Sequence, residues 1–168
     1  MRTRQKDRDV PGPGAPWNEI RPGLWMGGHH WTDPAGELQP AIVTDEFDLV
    51  ISLYTRSGHG PPATIEHRVA EIPDAALTAF QIDQVRLLAL LAATATKTGR
   101  TTLVRCHAGY NRSGLVVAQT LIELGYEPRD AIQLIRQRRS PWALHNALFE
   151  EYLLTGLDIA HLLVGLES

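Results

Sequence analysis

Cys106 and Arg112 stand six positions apart in Arg105-Cys106-His107-Ala108-Gly109-Tyr110-Asn111-Arg112-Ser113-Gly114. A cysteine, a short glycine-containing loop and an arginine at that spacing suit the chemistry of a bound oxyanion. The apolar run Thr102–Val104 ends at Cys106, and Arg112-Ser113 opens a second apolar-periodic segment. This pattern reads as strand, loop and helix N-terminus. The first turn of a helix leaves its N–H groups unpaired, and its dipole favours negative charge there. Helix N-termini and neighbouring cations also favour the thiolate form of a cysteine, which is the nucleophile. Arg112 adds a planar fork that grips two oxygens of a phosphate. The N–H groups from His107 through Ala108, Gly109, Tyr110 and Asn111 to Arg112 would hold the remaining charge. Thiolate and cradle together imply phosphoryl transfer through a cysteinyl phosphate.

Taken alone, Cys106 would read as a buried strand-end residue packing like a small hydrophobe. Gly109, Arg112 and Ser113 at their spacings tip the balance toward a site. Cysteine, five intervening residues, arginine and serine, with Gly109 inside, resemble the signature of the cysteine-based protein phosphatases, most closely their compact dual-specificity branch. The resemblance covers about Trp17 to Leu154. It implies that Asp74 is the general acid, because the family carries a mobile aspartate at the corresponding place. It also implies that Ser113 donates a hydrogen bond to the departing thiolate. The chemistry calls for no metal and no cofactor. One departure stands out. The family usually has histidine before the cysteine, whereas this chain has Arg105, which either substitutes electrostatically or turns away into a salt bridge.

The elements that must position these groups follow from periodicity and breakers. Residues 1–16 mix charges and then run Pro-Gly-Pro-Gly-Ala-Pro, which predicts a loose, flexible tail; residues 17–168 form a single domain. Trp17–Ile20 and Leu24–Met26 read as a hairpin around Arg21-Pro22-Gly23. His29-His30 reads as loop surface, and Thr32-Asp33 as the cap of a short helical piece near Ala35–Leu38. Strands are expected within Asp48–Tyr54 and Glu66–Ile72. Phe80, Val85, Leu88, Leu91, Ala92 and Ala95 predict a long helix over Ala79–Thr98. Further helices are expected over Ser113–Leu124, Arg129–Arg138 and Leu144–Leu154, with a last apolar one after that. The fold class is α/β: a mainly parallel four- to five-stranded sheet flanked by helices on both faces. Ligands of such sheets bind beyond the carboxyl ends of the strands. That rule gathers the loops Tyr54–Pro62, Pro73–Ala79 and Cys106–Arg112 at one edge.

Asp74 therefore meets the cysteine loop on topology as well as by resemblance, with Asp83 as the fallback acid. Arg136, Arg138 and Arg139 read as a solvated helix face rather than a basic rim. Trp142 and Asn146 either flank the pocket or, for Trp142, join the core. A small domain without a clamping extension suggests a shallow pocket open to phosphoserine and phosphothreonine as well as phosphotyrosine. The expected partner is thus a phosphorylated protein or peptide. The loop's Tyr110-Asn111-Arg112-Ser113-Gly114 is also similar to that of cysteine-type RNA 5′-triphosphatases, and a non-catalytic phospho-residue binding module is the third reading.

Composition sets the bounds. The chain has 168 residues, a net charge of −3, 43% hydrophobic and 21% charged residues, enough for one globular core. The charge argues against bulk nucleic-acid binding. Its single cysteine excludes an internal disulfide, and no apolar run has membrane-spanning length. The expected location is cytoplasmic.

Overall fold

The computed structural model describes residues 10–167. Seven strands form: β1 (Trp17–Arg21), β2 (Leu24–Gly27), β3 (His30–Thr32), β4 (Leu38–Pro40), β5 (Leu49–Ser52), β6 (Glu66–Val69) and β7 (Thr102–Arg105). Five helices follow or interleave with them: α1 (Ala79–Lys97), α2 (Arg112–Glu123), α3 (Pro128–Arg138), α4 (Ala147–Thr155) and α5 (Leu157–Glu167).

The main sheet has five strands in the order β1-β2-β7-β5-β6. β7 sits at its centre, parallel to β2 and β5, and β6 runs parallel to β5; only the β1–β2 hairpin is antiparallel. The mainly parallel α/β sheet read from the sequence is therefore the one that forms. Alternation along β7 sends Val104 and Cys106 to one face and Leu103 and Arg105 to the other. The first face carries Leu24, Met26, Leu49 and Ile51 into the large core, together with residues of all five helices. The second face packs Val50 and Leu103 against Val43, Phe47, Trp17 and Trp25. Among the described residues no helix residue joins that smaller cluster. The irregular stretch through Val43 and Phe47 covers the face, with Phe47 meeting both tryptophan rings edge-on.

Local chemistry accounts for the helix ends. Thr78 and Gln81 make a reciprocal capping box at the start of α1. Its buried positions are Ile82, Val85, Ala89, Ala92, Ala93 and Ala95, whereas Phe80 is 71% exposed. The buried stripe opens with Ile82 and Val85 and continues through four alanines, which allow the later turns of α1 to pack closely, and Phe80 is turned out. Helix α2 is buried from Ser113 through Leu121. Among the described residues no helix is long and apolar enough to cross a membrane.

Three expectations are corrected. Ala35–Leu38 is not helical: Asp33 accepts from Glu37 N at 2.9 Å and from Gln39 Nε2 at 2.9 Å, closing a turn into β4. Leu144 does not begin α4, because its φ is +58° and Asn146 is the N-cap, accepting from Leu148 N. Residues 10–16 lie against the body rather than trailing as a loose lead-in. The Pro13 carbonyl accepts from Thr32 N at 2.8 Å and the Pro16 carbonyl from Gly28 N at 3.2 Å. The rest of the expected tail, residues 1–9, lies outside the described residues.

Candidate active site

Strand β7 delivers Cys106 to the carboxyl edge of the sheet, and α2 starts six residues later. Between them the chain turns with its carbonyls outward, and five consecutive ones are engaged. His107 O accepts from His29 N at 2.8 Å, Tyr110 O from Leu144 N at 3.0 Å, and Asn111 O from Leu115 N at 2.8 Å. Ala108 O and Gly109 O accept from the Nη2 and Nε of Arg139, both at 3.1 Å. No backbone carbonyl of the described residues receives the N–H of Ala108, Gly109, Tyr110 or Asn111. Outward carbonyls leave the amides to face inward, which is the arrangement an oxyanion requires. Gly109 serves both demands. Its φ is +79°, and a Cβ there would lie 2.5 Å from Arg139 Nη2 and 2.6 Å from the Gly27 carbonyl carbon.

Cys106 lies at the floor of this ring, 2% exposed. Its Sγ is 3.3 Å from Ser113 Oγ. Arg112 at the first turn of α2 stands over the Tyr54 ring at 5.6 Å and donates through Nη1 to Ile72 O at 3.4 Å. Its Nε is buried and makes no hydrogen bond among the described residues. No side chain caps α2, because Asn111 at the N-cap position is occupied elsewhere. A buried guanidinium N–H without a partner, beside an uncapped helix start, favours an anionic ligand.

Asn111 ties the loop to Asp74. Its Nδ2 donates to Asp74 Oδ2 at 2.9 Å and approaches His145 Nε2 at 3.2 Å, while its Oδ1 accepts from Asn146 N at 3.0 Å. Asn146 Nδ2 donates to Asp74 Oδ1 at 2.7 Å. The half-buried Asp74 carboxylate is thus clamped between two amides, with a second lone pair left on each oxygen. Its loop is pinned further along by Leu77 N donating to the Tyr152 hydroxyl at 3.1 Å. The fallback Asp83 is remote from this network, pairing instead with Arg86 at 3.4 Å and His161 at 3.1 Å. The geometry brings Cys106, Arg112, Ser113 and, through Asn111, Asp74 into one cluster.

The cavity above the sulfur holds about 230 Å³. The loop lines it with Cys106, His107, Ala108, Tyr110, Asn111 and Arg112. Asp74 is not part of the lining and reaches it through Asn111, whereas His145 lines the cavity. Trp142 is 44% exposed and outside both the lining and the core.

Arg105 turns away from the loop. Buried to 1% exposure, it donates through Nε to Ser52 Oγ at 3.3 Å, through Nη1 to His59 O at 3.1 Å and through Nη2 to Gly60 O. All these partners are neutral, so the expected alternatives of electrostatic substitute or salt bridge give way to a third: a clamp on the Tyr54–Pro62 loop. Burial pushes its guanidinium down to about 10. His29, expected on a loop surface, is fully buried beside this clamp. Its Nε2 lies 2.8 Å from Tyr54 O and therefore donates, which leaves Nδ1 to accept from His59 Nδ1 at 3.2 Å. Burial, then the charge of Arg105, lower the His29 pKa to about 4, in keeping with that neutral tautomer.

Of the three arginines expected on a solvated face, Arg138 is exposed, whereas Arg136 and Arg139 turn onto the body. Arg136 donates to Ala143 O and Leu144 O, both at 3.0 Å, and pairs with Glu150 at 3.2 Å. Arg139 holds the two loop carbonyls with one side of its fork. It reaches Ala15 O and Asn18 Oδ1 through Nη1, both at 2.8 Å. Burial pushes Arg139 down to about 10, opposed by the nearby Tyr110 hydroxyl and Cys106 sulfur. No sequence signal separated it from its two neighbours, since its position one residue past α3 is what aims it inward. We predict that Arg139→Met leaves the fold standing yet weakens the binding of inorganic phosphate about tenfold by freeing the Ala108 and Gly109 carbonyls to rotate. Calorimetric titration alongside a melting curve checks this, and unchanged affinity would contradict it.

A scan against protein-family models finds no match, and no curated protein matches the chain. Solved structures do. Human DUSP28 superposes over 90% of this chain and 98% of its own, with a TM-score of 0.66 at 16% identity. PTPMT1 covers 90% and 99%, with a TM-score of 0.63 at 14% identity. OH1 from the Orf virus, described as a tyrosine phosphatase with triple substrate specificity, covers 90% and 92%, with a TM-score of 0.60 at 18% identity. The chain has the fold of the dual-specificity phosphatases. At these identities the likeness speaks to architecture, and chemistry must be argued from the residues.

Proposed function

We propose that this chain is a phosphomonoester hydrolase that works through a cysteinyl phosphate, acting on phosphorylated protein or peptide. The observation that carries this reading is the ring of five outward-pinned carbonyls with Cys106 Sγ at its floor and the unpartnered Nε of Arg112 beside it. Phosphate oxygens fit the inward amides and the Arg112 fork. The Cys106 thiolate attacks phosphorus, and the P–O ester bond breaks. Its electron pair leaves on the alcohol or phenol oxygen, which takes a proton from Asp74. Water then attacks the phosphocysteine and gives a proton to the Asp74 carboxylate. The S–P bond breaks, the sulfur recovers its electron pair under a hydrogen bond from Ser113, and inorganic phosphate departs. The phosphatases among the solved structures of this fold support the same chemistry.

The test is hydrolysis of para-nitrophenyl phosphate by the full chain with EDTA present. We expect turnover that persists in EDTA and stops with vanadate. Absence of turnover, or turnover that survives saturating vanadate, would contradict the proposal.

A further inference from the structure

The sequence suggested a shallow pocket, but a strap made of the chain's own residues 10–13 walls the cavity. Val10, Pro11, Gly12 and Pro13 all line it, above the same floor that carries Cys106. The strap is tied to the catalytic loop itself: the Tyr110 hydroxyl donates to Pro11 O at 2.7 Å, across 99 positions of sequence. Arg139 fastens the following turn through Ala15 O while holding the Ala108 and Gly109 carbonyls. Beta-strand β3 secures the middle, through Thr32 N donating to Pro13 O. The strap's place is thus set by the residues that shape the phosphate cradle. The rest of the wall is aromatic. His30, His107, Tyr110 and His145 line the same cavity, with the His30 and His107 rings 4.5 Å apart and Tyr54 edge-on to His107 at 5.1 Å.

We propose that this strap is a specificity wall that fits the cavity to phosphotyrosine and disfavours phosphoserine, an inference that rests on the oxyanion reading of the site above. Phosphorus must come within bonding reach of a sulfur at the cavity floor. A phosphoserine puts its peptide backbone only a few bonds from phosphorus, so the backbone would have to descend where the strap already runs. A phosphotyrosine spans the depth with a flat ring and leaves the backbone outside. Apolar strap residues and imidazole edges are the surfaces that favour such a ring.

The test is binding of matched phosphotyrosine and phosphoserine peptides to the full chain carrying Cys106→Ser, by fluorescence anisotropy, with inorganic phosphate as competitor. The phosphotyrosine peptide should bind about 30-fold tighter. Adding Tyr110→Phe, which cuts the tether, should lower phosphotyrosine affinity about tenfold and move phosphoserine affinity less than about twofold. Removing residues 1–13 should reproduce that pattern; Tyr110→Phe decides the matter if the shortened chain fails to fold. Equal affinity for the two peptides, or a preference that survives loss of the tether, overturns the strap inference alone. Binding of neither peptide, with inorganic phosphate also failing to bind, overturns the site reading and this inference with it.

Discussion

Cys106→Ser is expected to lose phosphomonoester turnover by on the order of 10⁵-fold while still binding inorganic phosphate or tungstate within about threefold of the native affinity. The two halves of this expectation come from different atoms. Turnover needs a nucleophile that attacks phosphorus and later leaves, and a hydroxyl oxygen does neither well at neutral pH. Binding comes from amides fixed by carbonyl contacts to His29, Arg139, Leu144 and Leu115, none of which involves the sulfur. Kinetics and calorimetry on one variant therefore separate the cradle from the chemistry. Retained turnover would dismiss the covalent route, and loss of oxyanion binding would show that the sulfur organises the ring.

Asp74→Asn is expected to lower turnover of poor-leaving-group esters by about 10²-fold, and that of para-nitrophenyl phosphate by less. An alkoxide or tyrosyl phenoxide must be protonated as it departs, whereas para-nitrophenolate leaves with little help. The clamp adds a structural cost. Asn111 Nδ2 and Asn146 Nδ2 both donate to the Asp74 carboxylate, so an amide at position 74 turns one donor against another. That mismatch costs about 1–2 kcal/mol of stability, visible as a lower melting temperature. The diagnostic readout is the leaving-group dependence, which instability alone does not change. An equal effect on every ester would remove Asp74 from the role of acid. Indifference on triphosphate-ended RNA, combined with good turnover of it, would favour the RNA triphosphatase reading.

The parts legible in sequence were those written by local rules. The apolar run ending at Cys106, the Gly109 turn and the Arg112-Ser113 helix start are contiguous, so residue types and spacing sufficed. The recurrence of Val85, Leu88, Leu91, Ala92 and Ala95 marked α1 in the same way. What escaped depends on partners far away in the chain. Nothing near Arg139 distinguishes it from Arg138, yet it spans 124 positions to reach Ala15. Pro11 reads as a loose terminal residue until Tyr110 meets it. His29 reads as surface until Arg105 and His59 enclose it. Phe80 matched helical periodicity, but at that end of α1 the buried stripe runs through Ile82 and Val85 instead. The loop and the helix that opens after it were thus readable, while the walls and clamps around them required the fold.

The most direct test of the covalent route uses rapid mixing of the Asp74→Asn chain with an aryl phosphate, followed by a denaturing quench and peptide mass mapping. The slowed second step should let a phosphoryl group accumulate on the peptide carrying Cys106, and none should appear when Cys106→Ser is added. Release of product with no phosphoryl group on Cys106 at any mixing time would contradict the account.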